Sequence, residues 1–536
     1  MSSGTSAIVL SNVSFSWPDG QPALSGLSGT FTPGRTGLVG RNGSGKSTLL
    51  RLIAGELSPT GGSITTSGEV GYLRQSLTWH GGTTVAGLLG IRPVLDAIRA
   101  VEGGDVAEQH FDTIGDDWDI ESRADERLRS IGFSSADLDR RVDTLSGGEV
   151  MLIALSGLLV RRLPITLLDE PTNNLDRPTK TMLAGLIDDW PGTLVVVSHD
   201  LDLLERMDRT AELYDGRLTV FGGPYSEWRA ALDQQQANAA QAAAAAEQAV
   251  RAERRQRTEA ESRLAKRARN AKTANENKKG SKILMNGLAS RAEASAGKLR
   301  SGLDDRLDAA KAARDEAASR IRPDERISLP LPDPDVPSGR RIAELRGTDR
   351  SYLIQGPERV AIVGANGVGK TTLLRALLDG AEPAPGRAGG ELHTDRVGYL
   401  TQRLDGVDET LGALQNVRLV APEAPDSLIR NRLGRLLIKG DDVDRPVGTL
   451  SGGERFRVLL ARLLLAEPPA QLLILDEPTN NLDVTSVDQL VDALSGYRGA
   501  LLVVSHDDRF LARLGLTTTL ELLPDGVLAE RRPPAA

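Results

Sequence analysis

The chain has 536 residues, 40 % of them apolar, which suits roughly three or four domain-sized units with ordinary cores. It has no cysteine, so disulfides and cysteine-bound zinc or iron–sulfur clusters are excluded. The formal charge of -8 is unevenly spread: residues 251–300 carry fifteen Lys or Arg against five Asp or Glu, a basic element on an acidic body.

The N-terminal Met1-Ser2-Ser3-Gly4-Thr5-Ser6 lacks a basic region followed by an apolar core, and no stretch approaches 18 uninterrupted apolar residues. The expectation is a cytoplasmic chain with neither a secretion signal nor an integral membrane segment. Near the start, Trp17 stands in Phe15-Ser16-Trp17-Pro18-Asp19, either stacking on a nucleobase or serving as a core aromatic. No matching aromatic precedes Gly364 at the equivalent distance, where Arg341 lies.

An apolar run, Thr36-Gly37-Leu38-Val39, leads into Gly40-Arg41-Asn42-Gly43-Ser44-Gly45-Lys46-Ser47 and then a helix-like run from Thr48 to Ile53. That is the strand, loop and helix setting of G-x-x-x-x-G-K-[ST], the phosphate-binding loop. The motif returns in the second half of the chain as Gly364-Ala365-Asn366-Gly367-Val368-Gly369-Lys370-Thr371, after Val360-Ala361-Ile362-Val363 and before a run from Thr372 to Leu377. Such loops turn backbone N–H groups inward around phosphate oxygens at a helix N-terminus. The candidate nucleotide-binding residues are Gly40, Asn42, Gly43, Gly45, Lys46, Ser47 and Thr48, and Gly364, Asn366, Gly367, Gly369, Lys370, Thr371 and Thr372. Lys46 and Lys370 would reach the β/γ-phosphates, while Ser47 and Thr371 would ligate magnesium, so ATP and Mg2+ are the expected ligands.

The same landmarks follow each loop in the same order, the mark of an internal repeat. Gln75 follows Val70-Gly71-Tyr72-Leu73-Arg74, and Gln402 follows Val397-Gly398-Tyr399-Leu400-Thr401. Leu145-Ser146-Gly147-Gly148-Glu149 and Leu450-Ser451-Gly452-Gly453-Glu454 each open an apolar helical stretch. Ile165–Asp169 and Leu472–Asp476 read as buried parallel strands, followed by Glu170 or Glu477 and then by Pro-Thr-Asn-Asn-Leu-Asp at 171–176 and 478–483. A further β-branched run ends in Ser198-His199-Asp200 or Ser505-His506-Asp507, and the spacing from Glu170 to His199 is the same as from Glu477 to His506. The interval from loop lysine to signature serine is longer between Lys46 and Ser146 than between Lys370 and Ser451, a difference that a helical subdomain of variable size would absorb.

Each half therefore reads as an α/β domain with a largely parallel sheet. The expected boundaries are 1–228 and 326–536 for the two repeats and 229–325 for the segment between them. That segment is dense in Ala, Glu, Arg and Lys, and proline is absent from 225 to 322. With breakers only at Gly280, Gly287, Gly297 and Gly302, it reads as two long helices folded into a hairpin, with Leu299, Leu303 and Leu307 on its seam. It is either a solvated spacer or a basic probe whose tip, Lys278 to Leu288, mixes lysines with apolar residues.

Removing a γ-phosphate needs positioned water and neutralised charge. Asp169 and Asp476 are candidate magnesium ligands beside Ser47 and Thr371, with Gln75 and Gln402 reaching the metal or the water. Glu170 and Glu477 stand where a carboxylate would orient water, and His199 and His506 where an imidazole would meet the γ-phosphate. His80, His110 and His393 lack such pairing and receive no role.

With the Leu-Ser-Gly-Gly-Glu signature beside these motifs, the chain resembles the ATP-binding cassette superfamily over about 1–228 and 326–530. The resemblance implies two P-loop NTPase cassettes sandwiched head to tail. Ser146, Gly147 and Gly148 would then complete the site on Lys370, and Ser451, Gly452 and Gly453 the site on Lys46. Intramolecular pairing of this kind implies a monomer. Two cassettes, a charged helical connector, Phe221-Gly222-Gly223-Pro224-Tyr225-Ser226-Glu227-Trp228 and Ser505-His506-Asp507-Asp508-Arg509-Phe510-Leu511 resemble the ABC-F subfamily. That subfamily implies an ATPase acting on the ribosome near the exit site, contacting rRNA and peptidyl-site tRNA, as a translation factor or in antibiotic resistance.

Two departures affect the first cassette: Val150-Met151-Leu152 where the second has Arg455-Phe456-Arg457, and Leu201-Asp202-Leu203 where the second has Asp508-Arg509-Phe510. They bear on whether the two sites are equally active. The insertion between Gln75 and Leu145 is modest, which implies a short arm or none. Competing readings are the ATPase of an exporter with separate membrane subunits and a DNA-maintenance protein.

Overall fold

The computed structural model describes residues 7–75, 82–173, 175–276, 282–322, 331–401, 406–480 and 482–532, with side chains left aside over 271–276, 282–293 and at 296. The chain divides into two compact units, Met1–Tyr225 with Glu325–Ala536, and Ser226–Asp324.

The first unit contains two cassettes built to one plan. In the first, a six-stranded sheet has the order Val70–Leu73, Ile165–Asp169, Thr193–Val197, Gly34–Val39, Arg209–Tyr214 and Arg217–Phe221. All neighbours are parallel except the last pair, a hairpin. Its central strands Ile165–Asp169 and Thr193–Val197 are mostly apolar and buried at every position, the pattern of strands covered above and below by helices. A three-stranded antiparallel sheet of Pro22–Phe31, Ile8–Ser16 and Gly61–Thr66 packs a second core against it.

The second cassette repeats this with Val397–Leu400, Leu472–Asp476, Ala500–Val504, Arg359–Val363, Thr518–Leu522 and Leu528–Arg531, beside Ser351–Gln355, Arg341–Arg346 and Gly389–Leu392. The unequal interval between loop and signature is helical in both. The first cassette has Val85–Leu88, Arg92–Glu102, Glu108–Ile114 and Ile120–Ser130, where the second has Ala413–Arg418 and Asp426–Arg435.

The signature helices differ in their surroundings. Gly147–Val160 is buried along its whole length after the first turn, and Val150, Met151 and Leu152 are all core residues. Gly452–Leu464 is amphipathic, with Arg455 paired to Glu409 at the surface. The apolar departure in the first signature is thus explained by packing. Among the described residues, no helix is long and apolar enough to cross a membrane.

The second unit is a pair of helices, Tyr225–Glu276 and Lys282–Ser319, the longer spanning about 78 Å at 1.5 Å per residue. Arg257 pairs with Asp304 and Arg314 with Glu247, which fixes an antiparallel register. Gly287, Gly297 and Gly302 do not break the second helix as composition alone suggests. Each costs only about 1 kcal/mol relative to alanine, which a long helix with a packed seam absorbs.

Within the pair, Val250, Leu303 and Leu307 are buried, whereas Leu299 is 48 % exposed. The register sets Leu299 level with Ser262, between Glu261 and Arg263, where little apolar surface is available to cover it. Leu307→Ala should therefore cost about 2–3 kcal/mol, read as faster hydrogen exchange over both helices, while Leu299→Ala should be nearly silent. Residues 277–281 of the tip lie outside the described residues.

Candidate active site

Each phosphate loop joins a central strand to a buried helix. Gly40 has φ +154°, and a Cβ there would lie 2.5 Å from the Leu213 carbonyl oxygen; Gly364 repeats this with φ +148° and the Leu522 oxygen at 2.5 Å. Gly45 and Gly369 cap the helices Lys46–Ile53 and Lys370–Asp379 in the left-handed region, at φ +96° and +105°. Only glycine adopts both conformations without strain, so each loop curls and leaves its N–H groups to face inward.

Gly43 and Gly367 form the open crest, with no atom within 4 Å of a Cβ position. Lys46 Nζ donates to the carbonyl oxygens of Gly40 at 2.7 Å and Arg41 at 3.0 Å. Lys370 Nζ does the same to Gly364 at 2.8 Å and Ala365 at 3.0 Å. Burial lowers the pKa of both ammonium groups, against the pull of nearby carboxylates. Thr48 is buried beneath its loop, whereas Thr372 is exposed.

The acids that end the buried strands lie beside these helices. Ser47 Oγ donates to Asp169 Oδ1 at 3.1 Å and Tyr72 Oη to Asp169 Oδ2 at 3.2 Å. In the second cassette, Thr371 Oγ1 and Tyr399 Oη reach Asp476, each at 3.5 Å. Burial raises the pKa of both aspartates, Asp169 and Asp476. In the sequence the tyrosines stand only as part of the repeated landmark before Gln75 and Gln402. Their signal is the repeated Val-Gly-Tyr-Leu, whose third residue shares a sheet face with the aspartate on the neighbouring strand.

Glu170 and Glu477 occupy positive φ, +51° and +47°, directly after the strands. Their amides donate to Val197 and Val504 at 2.8 Å, and their carbonyl oxygens accept from Asn173 and Asn480 at 3.2 and 3.1 Å. The chain therefore turns sharply at a non-glycine residue, a costly conformation of the kind that clusters at functional sites.

The backbone N–H groups of His199 and His506 each donate to these carboxylates at 3.3 Å. His199 Nε2 stands 2.9 Å from Glu170 Oε1, close but not aligned for a hydrogen bond, and His506 Nε2 is 3.3 Å from Glu477 Oε1. Both Oε1 atoms are buried without a well-formed hydrogen bond. Burial pushes Glu477 up to about 7 and His506 down to about 4, the latter helped by Lys370. Lys370 Nζ approaches His506 Nε2 at 2.8 Å, a bond in which the ammonium donates to an unprotonated ring nitrogen.

The two sites meet across the cassette interface. The amide of Asn42 donates to Asp483 Oδ2 at 2.5 Å, and the amide of Asn366 to Asp176 Oδ2 at 3.4 Å. Asp483 also N-caps the helix Val484–Ser495 through the Ser486 amide at 2.7 Å, as Asp176 caps Arg177–Asp188 through Thr179 at 3.1 Å. Burial opposes ionisation of Asp483, yet the Asn42 and Ser486 donors hold its carboxyl below the ordinary range.

Ser146 and Ser451 N-cap their signature helices in capping boxes with Glu149 and Glu454. A Cβ on Gly148 would lie 3.1 Å from Thr179, and one on Gly453 3.8 Å from Ser486 Oγ, while Gly147 and Gly452 are open. Each signature thus rests on the helix whose cap holds the other cassette's phosphate loop. Asp176 and Asp483 were landmarks in the sequence without a role; an aspartate before a helix start signals a cap, but not its second partner.

Among the remaining candidates, Trp17 is edge-on to Phe15 at 5.1 Å with the Arg51 guanidinium 6.0 Å from its ring, so it is a half-buried wall beside the first loop's helix. Gln75 is exposed just past its strand, and Gln402 lies outside the described residues. His110 pairs with Asp105 at 3.0 Å, away from either loop. A cavity of about 780 Å³ lies between the cassettes, with Lys180, His199 and Asp200 on one wall and Glu477, His506 and Asp507 on the other.

The chain matches the family described as ABC transporter over residues 24–173 and 348–480. It is 30 % identical over 556 residues to "Probable ATP-binding protein YbiT" of Escherichia coli O157:H7, covering 97 % of both chains. It is 32 % identical over 543 residues to "Tylosin resistance ATP-binding protein TlrC" of Streptomyces fradiae, covering 92 % of this chain and 94 % of that one. A solved structure titled "RNase-L Inhibitor" shares the fold, with a TM-score of 0.53 at 19 % identity over 98 % of this chain and 90 % of that one. Two cassette matches, each spanning one phosphate loop, one signature and one acid pair, and relatives covered over nearly their full length place the chain in the ABC transporter family as a tandem-cassette ATP-binding protein of the ABC-F type.

Proposed function

We propose that this chain is a cytoplasmic, monomeric ATPase that binds the bacterial ribosome near the exit site and uses closure of its cassettes to act on rRNA and peptidyl-site tRNA. Residues 1–228 and 326–536 are read as the nucleotide-driven clamp and 229–325 as the effector. The observation that carries the clamp is the reciprocal bond from each phosphate loop to the other cassette's aspartate, which makes two sites one interface within a single chain.

The loop amides, Lys46 and Lys370 hold the triphosphate, and Ser146, Gly147 and Gly148 or their counterparts Ser451, Gly452 and Gly453 cover it from the partner cassette. Ser47 with Asp169 and Thr371 with Asp476 present hard oxygen donors suited to magnesium. Among the described residues there is no cluster of three or more acidic or histidine side chains placed to hold a metal, and oxygens of the nucleotide would serve as further ligands. A magnesium ion held there would supply charge neutralisation for phosphoryl transfer. Glu170 and Glu477 orient the attacking water, and His199 and His506 steady the γ-phosphate.

The net charge of +10 on residues 251–300 and the resistance named for the Streptomyces relative support a ribosomal target. The Glu170→Gln/Glu477→Gln variant should pellet with ribosomes when ATP is present at about 50 mM salt, and progressively less as salt approaches about 0.5 M, as phosphate contacts require. Failure to pellet at any salt overturns the ribosomal reading and leaves the ATPase reading standing.

A further inference from the structure

The cavity between the cassettes holds a cation that belongs to neither phosphate loop. Lys180 lies in the first turn of the helix Arg177–Asp188, and its Nζ is 2.8 Å from Asp200 Oδ2 in the histidine loop of its own cassette. Asp507, Glu477 and His506 face the same space from the second cassette.

Asp200 and Asp507 are equivalent residues, each N-capping the short helix that follows its histidine. Head-to-tail pairing of the cassettes therefore brings two like charges together in a partly dry space. Left without a cation, they would repel one another and resist desolvation. Burial raises the pKa of the Asp507 carboxyl, and Asp200 and Asp202 add to the rise. Burial opposes the Lys180 ammonium, but Asp200, Asp507 and Glu477 together raise its pKa instead.

Other cations around the cavity are already engaged. Arg177 pairs with Asp508 at 3.3 Å and Arg509 with Asp202 at 2.8 Å, both across the interface, and Arg206 pairs with Asp188 at 2.5 Å. His506 is held neutral against Lys370. Neutralising Asp200 and Asp507 falls to Lys180. The second cassette has no equivalent: Asp176 corresponds to Asp483, and the position matching Lys180 is Val487.

We propose that Lys180 is a one-sided charge latch, whose ammonium holds the two histidine loops together across the closed interface by neutralising Asp200 of its own cassette and Asp507 of the other. It is a positioning residue, and the inference rests on the reading that ATP closes the cassettes. One lysine serves both sites, so losing it weakens closure as a whole. The lost cation also reveals itself as repulsion, which a packing defect would not produce.

The chain has no cysteine, so a cysteine pair at exposed Met182 and Leu419, one in each cassette, allows closure to be followed by energy transfer between dyes in the full chain. In the Glu170→Gln/Glu477→Gln background with saturating ATP, Lys180→Met should lower the ratio of closed to open molecules about tenfold, equivalent to ~1.4 kcal/mol. Lys180→Arg should retain closure. Asp507→Asn keeps a side chain able to cap its helix, and added to Lys180→Met it should restore most of the closed population.

If the parent closes and Lys180→Met closes equally well, the latch is refuted alone. A closure defect that Asp507→Asn does not relieve refutes it too, by reducing Lys180 to packing. If the parent itself fails to close on ATP, the closure reading falls and the latch with it.

Discussion

Replacing Glu170 and Glu477 together by glutamine should lower ATP hydrolysis by about 10²–10⁴-fold while leaving nucleotide binding within a few-fold. The argument is geometric. Each glutamate sits at a positive φ fixed by a bond from its amide to the neighbouring strand, and each accepts the amide of the histidine at the end of that strand at 3.3 Å. Glutamine fits the same turn and can still accept that amide through its oxygen. It cannot accept a proton from water.

The lysine, the loop amides and the hydroxyl–aspartate pairs are untouched, so binding persists while turnover falls. Phosphate release under saturating ATP measures the first quantity and equilibrium nucleotide binding the second. Normal turnover in the double variant would remove the glutamates from the mechanism. The single variants resolve the asymmetry: in the second site Lys370 bonds His506, which lies 3.3 Å from Glu477, whereas in the first His199 stands 2.9 Å from Glu170. Unequal residual rates are expected from Glu170→Gln and Glu477→Gln.

Much of this machinery is legible in sequence because it is local. A run such as Leu472-Leu473-Ile474-Leu475 admits little but a strand buried on both faces, and an acid pair at its end is too costly there without partners. The phosphate loops announce themselves through glycines that the fold uses at positive φ. Less legible is what depends on register or on partners far along the chain.

Tyr72 reaches Asp169 only because two strands far apart in the chain align side by side. Leu299 looks like seam by spacing, but its burial depends on what the facing helix offers at that level. The bond from Asn42 to Asp483 joins opposite ends of the chain, and nothing local to either residue hints at the other. Repetition in the sequence shows that two sites exist, and only the folded interface shows which groups they share.

That shared interface gives the second large effect, on Asp483. Asp483→Ala should lower the closed-to-open ratio of the cassettes by about 10–100-fold, because it removes a buried carboxylate that accepts a short bond from the other cassette, a contact worth about 1.5–3 kcal/mol. It should also cost the second cassette about 1 kcal/mol in stability through loss of the helix cap, seen as a lower melting temperature with or without ATP.

Asp176→Ala removes the equivalent cap, but its cross-cassette bond is 3.4 Å long and more exposed, so its effect on closure should be only a few-fold. Asp483→Asn separates the two contributions. It keeps a capping oxygen and thus the melting temperature, while losing the charge that strengthens the bond to Asn42. Equal closure defects in the two alanine variants would show that the interface is symmetric, and would shift any difference between the sites to the histidine and lysine contacts.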